Sequence, residues 1–214
     1  MNVDFYFDPC CPWCWVTGRW LADIAPQRNV NINWKPFSLA LKNGTLKKDP
    51  KELSKYDDSH LASHRALRVI EAATQAGGDR GKLYEDIGKM HHVEGYPMSD
   101  MEISLMLSLS RLDTDLAKMA DETSYDKDLQ KHLDEAIGVV GEDVGVPLIV
   151  FEQADGSKVG YFGPVLMKQP VDQEALDLWD GLSKLANSSD FYELKRSRPA
   201  GGPEIGKSTA PPVC

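Results

Sequence analysis

The chain has 214 residues, 42% of them hydrophobic and 27% charged, which is ordinary for a soluble globular protein long enough to bury a substantial core. Its 33 Asp and Glu outweigh 24 Lys and Arg, and the net charge of −9 argues against nucleic acid or an anionic membrane surface as a partner. No apolar run is long enough for a membrane helix, and strand-like sequence begins directly after Met1 with no basic segment or apolar h-region, so no signal peptide is expected.

Val3 to Phe7 is a short, mostly apolar run that reads as a first, central strand. Asp8-Pro9 makes a turn, and Cys10 reads as a small, partly buried hydrophobe. Cys11-Pro12-Trp13-Cys14 follows. A helical pattern then runs from about Pro12 towards Pro26, with Trp15, Val16, Trp20, Leu21 and Ile24 on a broad apolar side. Strand, C-x-x-C, helix is the opening of a thioredoxin-like redox unit. The first turn of a helix presents unpaired N–H groups and the positive end of the dipole. A thiolate there is stabilised, and its pKa falls below the free value of about 8.5. Cys11, expected to be exposed at that turn, reads as the attacking thiolate; Cys14, one turn on, reads as the resolving thiol. Pro12 suits the first helical position because it lacks an N–H that would go unpaired. Trp13 either offers a flat apolar face beside the sulfur or packs the helix start.

A structural zinc site needs four ligands, yet among the four cysteines Cys10 adjoins Cys11, Cys214 is terminal and no second C-x-x-C exists. A purely structural disulfide across so short a loop constrains little of the unfolded chain. A redox pair is the better reading, and it fits a cytoplasmic setting, where thiols are kept reduced and a C-x-x-C is more often catalytic than structural.

Val30 to Phe37 alternates and reads as a second strand, which a right-handed crossover places parallel to the first. Lys42 to Thr45 is expected to be a loop. From Lys51 to Gly138 the pattern is helical: Ala66, Val69, Ile70 and Ala73 up to Gly77-Gly78, then Leu83, Ile87 and Met90, then Met101 to Leu112, Leu116 to Ala120, and Tyr125 to Ile137. His60 and His64 stand at i and i+4 on one of these helices. Without H-E-x-x-H they read as a solvated face rather than a metal pair. Strands resume at Val146 to Phe151, and a turn at Ala154 to Ser157 leads to an antiparallel partner, Lys158 to Phe162. Pro170 precedes a final amphipathic helix carrying Ala175, Leu178, Trp179, Leu182 and Leu185. Residues 197–214, rich in Pro, Gly and Ser, read as a tail without its own core, and Cys214 as an incidental thiol. The expected organisation is α/β: a thioredoxin-like domain from 1–40 and 140–196, a helical insertion at 41–139, and the tail. No Gly-rich phosphate loop appears, so neither a nucleotide nor a flavin is expected, and no metal.

Cys11-Pro12-Trp13-Cys14, Gly145-Val146-Pro147 and Phe162-Gly163-Pro164, with the helical insertion between them, resemble the DsbA-like thioredoxin superfamily over nearly the whole chain apart from the tail. Phe7-Asp8-Pro9 leading into the motif and Trp15, Gly141 to Gly145, and Phe191 to Arg196 look closest to a cytosolic actinobacterial branch containing mycothiol-dependent, mycoredoxin-like reductases. The resemblance implies a thioredoxin fold with a large all-helical insertion and a thiol–disulfide oxidoreductase. It implies no bound cofactor, with mycothiol or another low-molecular-weight thiol as cosubstrate. Its partners would be small thiols and disulfides, and mycothiolated proteins. It also implies a cis Val146-Pro147 peptide, a form that costs about 0.5–1 kcal/mol over trans. That would expose the Val146 backbone beside Cys11, where a substrate can pair as an added strand; an ordinary trans proline opening a strand is the other reading. Asn43 and His91 align with polar positions of the branch and, with Tyr56, join Pro12, Trp13, Val146 and Pro147 as candidate substrate contacts. For His91 and Tyr56 a plain surface position competes. Two other activities use the same residues: a protein disulfide oxidase or isomerase, and a kappa-class glutathione-transferase-like or isomerase-type thiol transferase using Cys11 alone. The latter branch carries a serine near the first cysteine position, where this chain keeps the pair. Oligomeric state is open.

Overall fold

In the computed structural model, which describes residues 1–188 and 190–205, four strands form one sheet in the order β2-β1-β3-β4. β1 (Asn2–Phe7) runs parallel to β2 (Asn31–Pro36), the two being joined by α1 (Pro12–Arg28). On its other side β1 pairs antiparallel with β3 (Leu148–Glu152), and β3 makes an antiparallel hairpin with β4 (Lys158–Phe162). A helical crossover fits a parallel pair and a tight turn an antiparallel one, as the sequence implied. The thioredoxin topology follows, and it puts the end of β1, and so the motif, at the centre of one sheet edge.

Alternation assigns the two faces. Val3, Phe5 and Phe7, with their partners Phe151 and Ile149, meet α1 and α7 (Asp172–Ala186). Trp179 sits 5.8 Å from Phe151 and 6.1 Å from Trp20, whose indole N–H donates to the Ala175 carbonyl at 3.0 Å. Phe7 stacks on Tyr84 of α4 (Arg80–Gly88) at 4.0 Å. α6 (Asp126–Val140) covers the opposite face. Its Val139 and Val140 lie over Gly160, where a Cβ would come within 2.6 Å of Val140, so the absence of a side chain lets helix and sheet close.

Between Pro36 and Leu148 the regular elements are all helical: α2 (Leu39–Lys42), α3 (Lys55–Gln75), α4, α5 (Asp100–Leu109) and α6, with short 3-10 turns between them. Capping boxes start two of them, Ser54 with Asp57 and Ser99 with Glu102. The stretch expected as a loop at Lys42 begins instead at the end of a helical turn. Ser38 caps it by accepting the Leu41 N–H, and Asp8 accepts the Leu39 N–H. Leu116 to Ala120 lies in a 3-10 stretch, Thr114–Asp121.

His64 corrects the expectation of a solvated face: it is 1% exposed. Both ring nitrogens are used, Nδ1 with the Ser38 hydroxyl at 2.8 Å and Nε2 with Asp126 at 3.0 Å. A carboxylate only accepts, so Nε2 carries the proton and Nδ1 accepts from Ser38. Asp126 also takes a two-pronged Arg68 at 2.6 and 2.8 Å. This buried chain of polar groups ties the strand-to-helix corner at Ser38 to α3 and α6. Among the described residues no helix is long and apolar enough to cross a membrane.

Candidate active site

β1 ends in a turn closed by the Cys11 N–H on the Asp8 carbonyl at 3.0 Å. Cys11 is the N-cap of α1 in extended backbone and Pro12 its first residue, as the sequence required. The described cysteines, Cys10, Cys11 and Cys14, are free thiols. Cys11 is held below the ordinary thiol pKa. The largest cause is the Cys14 S–H donating to its sulfur; burial opposes, and the N–H groups of Cys14 and Trp13 reinforce. Cys14 is fully buried and pushed well up, first by that burial and then by giving its proton to Cys11. The pair is thus polarised: one thiolate, one proton donor.

Cys11 is 6% exposed, not exposed as expected. Its Sγ lies 3.7 Å from the Val146 carbonyl, because the loop entering β3 folds against the helix start. The Val146-Pro147 peptide is cis, and so is Gly163-Pro164. These two prolines lie side by side: the Gly163 N–H donates to the Pro147 carbonyl at 2.8 Å, and the Thr17 hydroxyl of α1 donates to the Pro164 carbonyl at 2.7 Å.

Asp8, read from sequence as a turn residue only, is completely buried under the motif. One carboxylate oxygen accepts the Cys10 N–H at 3.1 Å and the Ser63 hydroxyl; the other accepts the Leu39 N–H at 2.8 Å. A single side chain therefore holds the motif turn, α2 and α3 together. Burial first, and then this carboxylate, raises the Cys10 thiol far above its ordinary value, in keeping with an inert neighbour. The signal for Asp8 was available: an acid immediately after three aromatic strand residues, Phe5, Tyr6 and Phe7, at a position the sheet must bury.

His92 is the second residue the sequence left out. α4 runs on into a π turn, Lys89–Val93, and this rotates His92 onto the motif. Its Nε2–H donates to the Pro9 carbonyl at 2.8 Å and its ring lies 5.8 Å from Trp15. Burial, and then the charge of His91, pulls it down to about 4, so it stays neutral at physiological pH. His91 turns away and bonds the Tyr96 carbonyl at 2.9 Å. Asn43 is exposed at the end of α2, whose Lys42 reaches the Glu142 carbonyl at 2.5 Å, beside the loop that carries Val146. Tyr56, 79% exposed in the first turn of α3, has no contact with the motif among the described residues. Trp13 is half-buried, and the Arg198 guanidinium lies 5.2 Å over its ring. Cys214 falls outside the described residues. Among the described residues no cluster of three or more His, Cys, Asp or Glu is arranged to hold a metal ion.

Residues 10–196, the motif through the segment after the last helix, match the family model described as Rv2466c-like, mycothiol-dependent nitroreductase Rv2466c. The chain belongs to this family. It is accordingly a DsbA-like thiol–disulfide oxidoreductase with actinobacterial relatives. One such relative, the uncharacterized protein Rv2286c of Mycobacterium tuberculosis, is 30% identical over 212 residues, covering 95% of this chain and 85% of the relative. Among solved structures, the cytosolic disulfide reductase DsbM of Pseudomonas aeruginosa superposes with a TM-score of 0.58 at 17% identity, over 86% of this chain and 100% of that one. DsbA of Chlamydia trachomatis gives 0.53 at 11% identity, over 87% and 88%. At these identities the structural likeness is one of fold, and it is the DsbA-like fold that the motifs implied.

Proposed function

We propose that this protein is a cytoplasmic reductase of low-molecular-weight thiol mixed disulfides that uses mycothiol as cosubstrate. The observation that carries the reading is the geometry of the pair: Cys11 caps α1 with its sulfur 3.7 Å from the Val146 carbonyl beside a cis proline, and Cys14 lies fully buried one turn behind it. The Cys11 thiolate attacks one sulfur of a mixed disulfide, forming a new disulfide and expelling the other partner as a thiolate. Cys14 then attacks Cys11, its proton leaving with the departing thiol, and the Cys11–Cys14 disulfide closes. Two mycothiols restore the dithiol and depart as their own disulfide. The Val146 carbonyl, Pro147, Pro12 and Trp13 frame the sulfur, and Asn43 stands at the rim; we place the substrate among them. Tyr56 and His91 are outer candidates. The division into a thioredoxin-like domain, an insertion at 41–139 and a tail from 197 belongs to the same proposal. A DsbM structure with GSH supports small-thiol chemistry on this fold.

The family's description favours a second reading, reduction of nitro groups. A dithiol closing to a disulfide releases two electrons and two protons, which is what converts a nitro to a nitroso group and water.

The test is turnover of a mycothiol mixed disulfide with the reduction potential of the pair. Cys11→Ser is expected to abolish turnover; full activity in that variant refutes the mechanism. Loss of activity in Cys14→Ser marks the two-thiol route. A potential of roughly −200 to −270 mV supports a reductase, and one near −120 mV favours an oxidase of protein chains.

A further inference from the structure

The segment after α7 returns to the motif. It is fixed at one end by the Tyr161 hydroxyl donating to the Phe191 carbonyl at 2.9 Å, with the two rings 5.7 Å apart. At the other end the Glu204 N–H donates to the Met167 carbonyl at 2.6 Å, just past the loop holding cis Pro164. Between these anchors residues 192–202 are exposed, and Arg198 reaches back to Trp13, 5.2 Å from the ring centroid. A guanidinium over an indole is attracted by the ring's negative face. The family match covers residues 10–196, and Arg198 lies two residues past it.

We infer that residues 192–203 form a strap across the Cys11 mouth and that Arg198 is its clasp, a specificity-determining residue that admits small disulfides more readily than polypeptide chains. The inference rests on the reading of Cys11 as the attacking thiolate toward small-thiol disulfides. The geometry supports it from three sides. Cys11 is 6% exposed, so access is already narrow. The Trp13 face, the flat surface beside the sulfur, is occupied by the chain's own cation. An extended polypeptide pairing with the Val146 backbone has to pass the motif at Trp13, where Arg198 sits, whereas a small disulfide needs only its sulfur to enter. The clasp is exposed and therefore weak, so the strap can lift. An exposed cation–π contact corresponds to about a two- to five-fold bias.

The experiment compares two reagents with one reactive group on the full-length, reduced protein: N-ethylmaleimide and a maleimide carried on a short peptide. Reaction at Cys11 is followed by peptide mapping in the parent, Arg198→Ala, Arg198→Glu and Arg198→Lys. We expect the peptide reagent to react about two- to five-fold faster in Arg198→Ala, at least as fast in Arg198→Glu, and near the parent rate in Arg198→Lys, with N-ethylmaleimide unchanged throughout. An unchanged rate with the peptide reagent overturns the strap. Equal acceleration of both reagents also overturns it, because Arg198 then acts on the thiolate and not on access. Alkylation needs no turnover, so this result is independent of the mycothiol assay: a size split without reduction of the mixed disulfide leaves the strap standing and removes the substrate assignment.

Discussion

Removing the Cys14 thiol is expected to raise the pKa of Cys11 and so to shrink its thiolate population at neutral pH. The Cys14 S–H is the largest influence holding the Cys11 thiolate down. A hydrogen bond to a charged group is worth about 1.5–3 kcal/mol, which is about ten- to a hundred-fold in an equilibrium population. Cys14→Ala deletes that donor while the N–H groups of Cys14 and Trp13 stay in place, so Cys11 moves toward the ordinary thiol value without exceeding what burial imposes. Cys14→Ser retains an O–H on a shorter arm and should recover part of the shift. The assay is the pH dependence of Cys11 alkylation, checked against thiolate absorbance. Identical titrations for the parent and Cys14→Ala refute the argument; so does a Cys14→Ser curve that coincides with Cys14→Ala, since volume and not donation would then be responsible. The two thiols act on stability with opposite sign. The depressed Cys11 stabilises the fold above the ordinary thiol pKa, and that contribution fades as pH falls through its folded value. The raised Cys14 stabilises below the ordinary value, and its contribution fades as pH rises beyond it. Cys14→Ala should therefore flatten the alkaline limb of the stability profile.

His92, at about 4 in the fold against 6.5 unfolded, takes up protons on unfolding as pH falls, so stability should drop by about 2 kcal/mol from pH ~7 to pH ~5 on its account. Urea unfolding of His92→Gln, which keeps a donor for the Pro9 carbonyl, should lack that part of the slope; equal slopes in parent and variant would rule it out. Asp8→Asn is expected to destabilise by about 1–3 kcal/mol, because either amide orientation sets an NH2 against the N–H of Leu39 or Cys10. The same change should lower the Cys14 and Cys10 pKa values by removing the neighbouring negative charge, and thiol titrations that match the parent's would count against it.

The motif and the strands were legible because their signals are local. Alternation at Val30 to Phe37 and the turn at Asp155-Gly156 identify β2 and the β3–β4 hairpin with no knowledge of the rest. Burial of the nucleophile was not legible, because it depends on Val146, 135 residues away. His64 was misread for a similar reason. Its helix spacing relative to His60 says which way it points, but not that Ser38 and Asp126 wait there. The choice between His91 and His92 turns on about 100° of helix rotation, and the π turn that decides it has no reliable mark in the residue pattern. The tail from 197 was read as coreless from composition, which gives no sign that Arg198 lies over Trp13 and that the Glu204 N–H bonds the Met167 carbonyl.

Three thiols lie within five consecutive residues, 10–14, around one buried carboxylate, and their charges differ for a definable reason. Asp8 raises all of them, so it does not select among them. Selection comes from which sulfur the helix start can serve. Only Cys11 receives the N–H groups of Trp13 and Cys14 together with the Cys14 proton. Cys10, one residue earlier, is hydrogen-bonded to Asp8 and keeps its own proton. Asp8 then has a consistent double part: it locks the turn that aims Cys11 at the helix, and its charge adds to the burial that keeps the proton on Cys14. Reactivity is thereby confined to one nearly buried sulfur of a cysteine-rich turn, and the proton required by the departing thiol is stored on the sulfur that acts next.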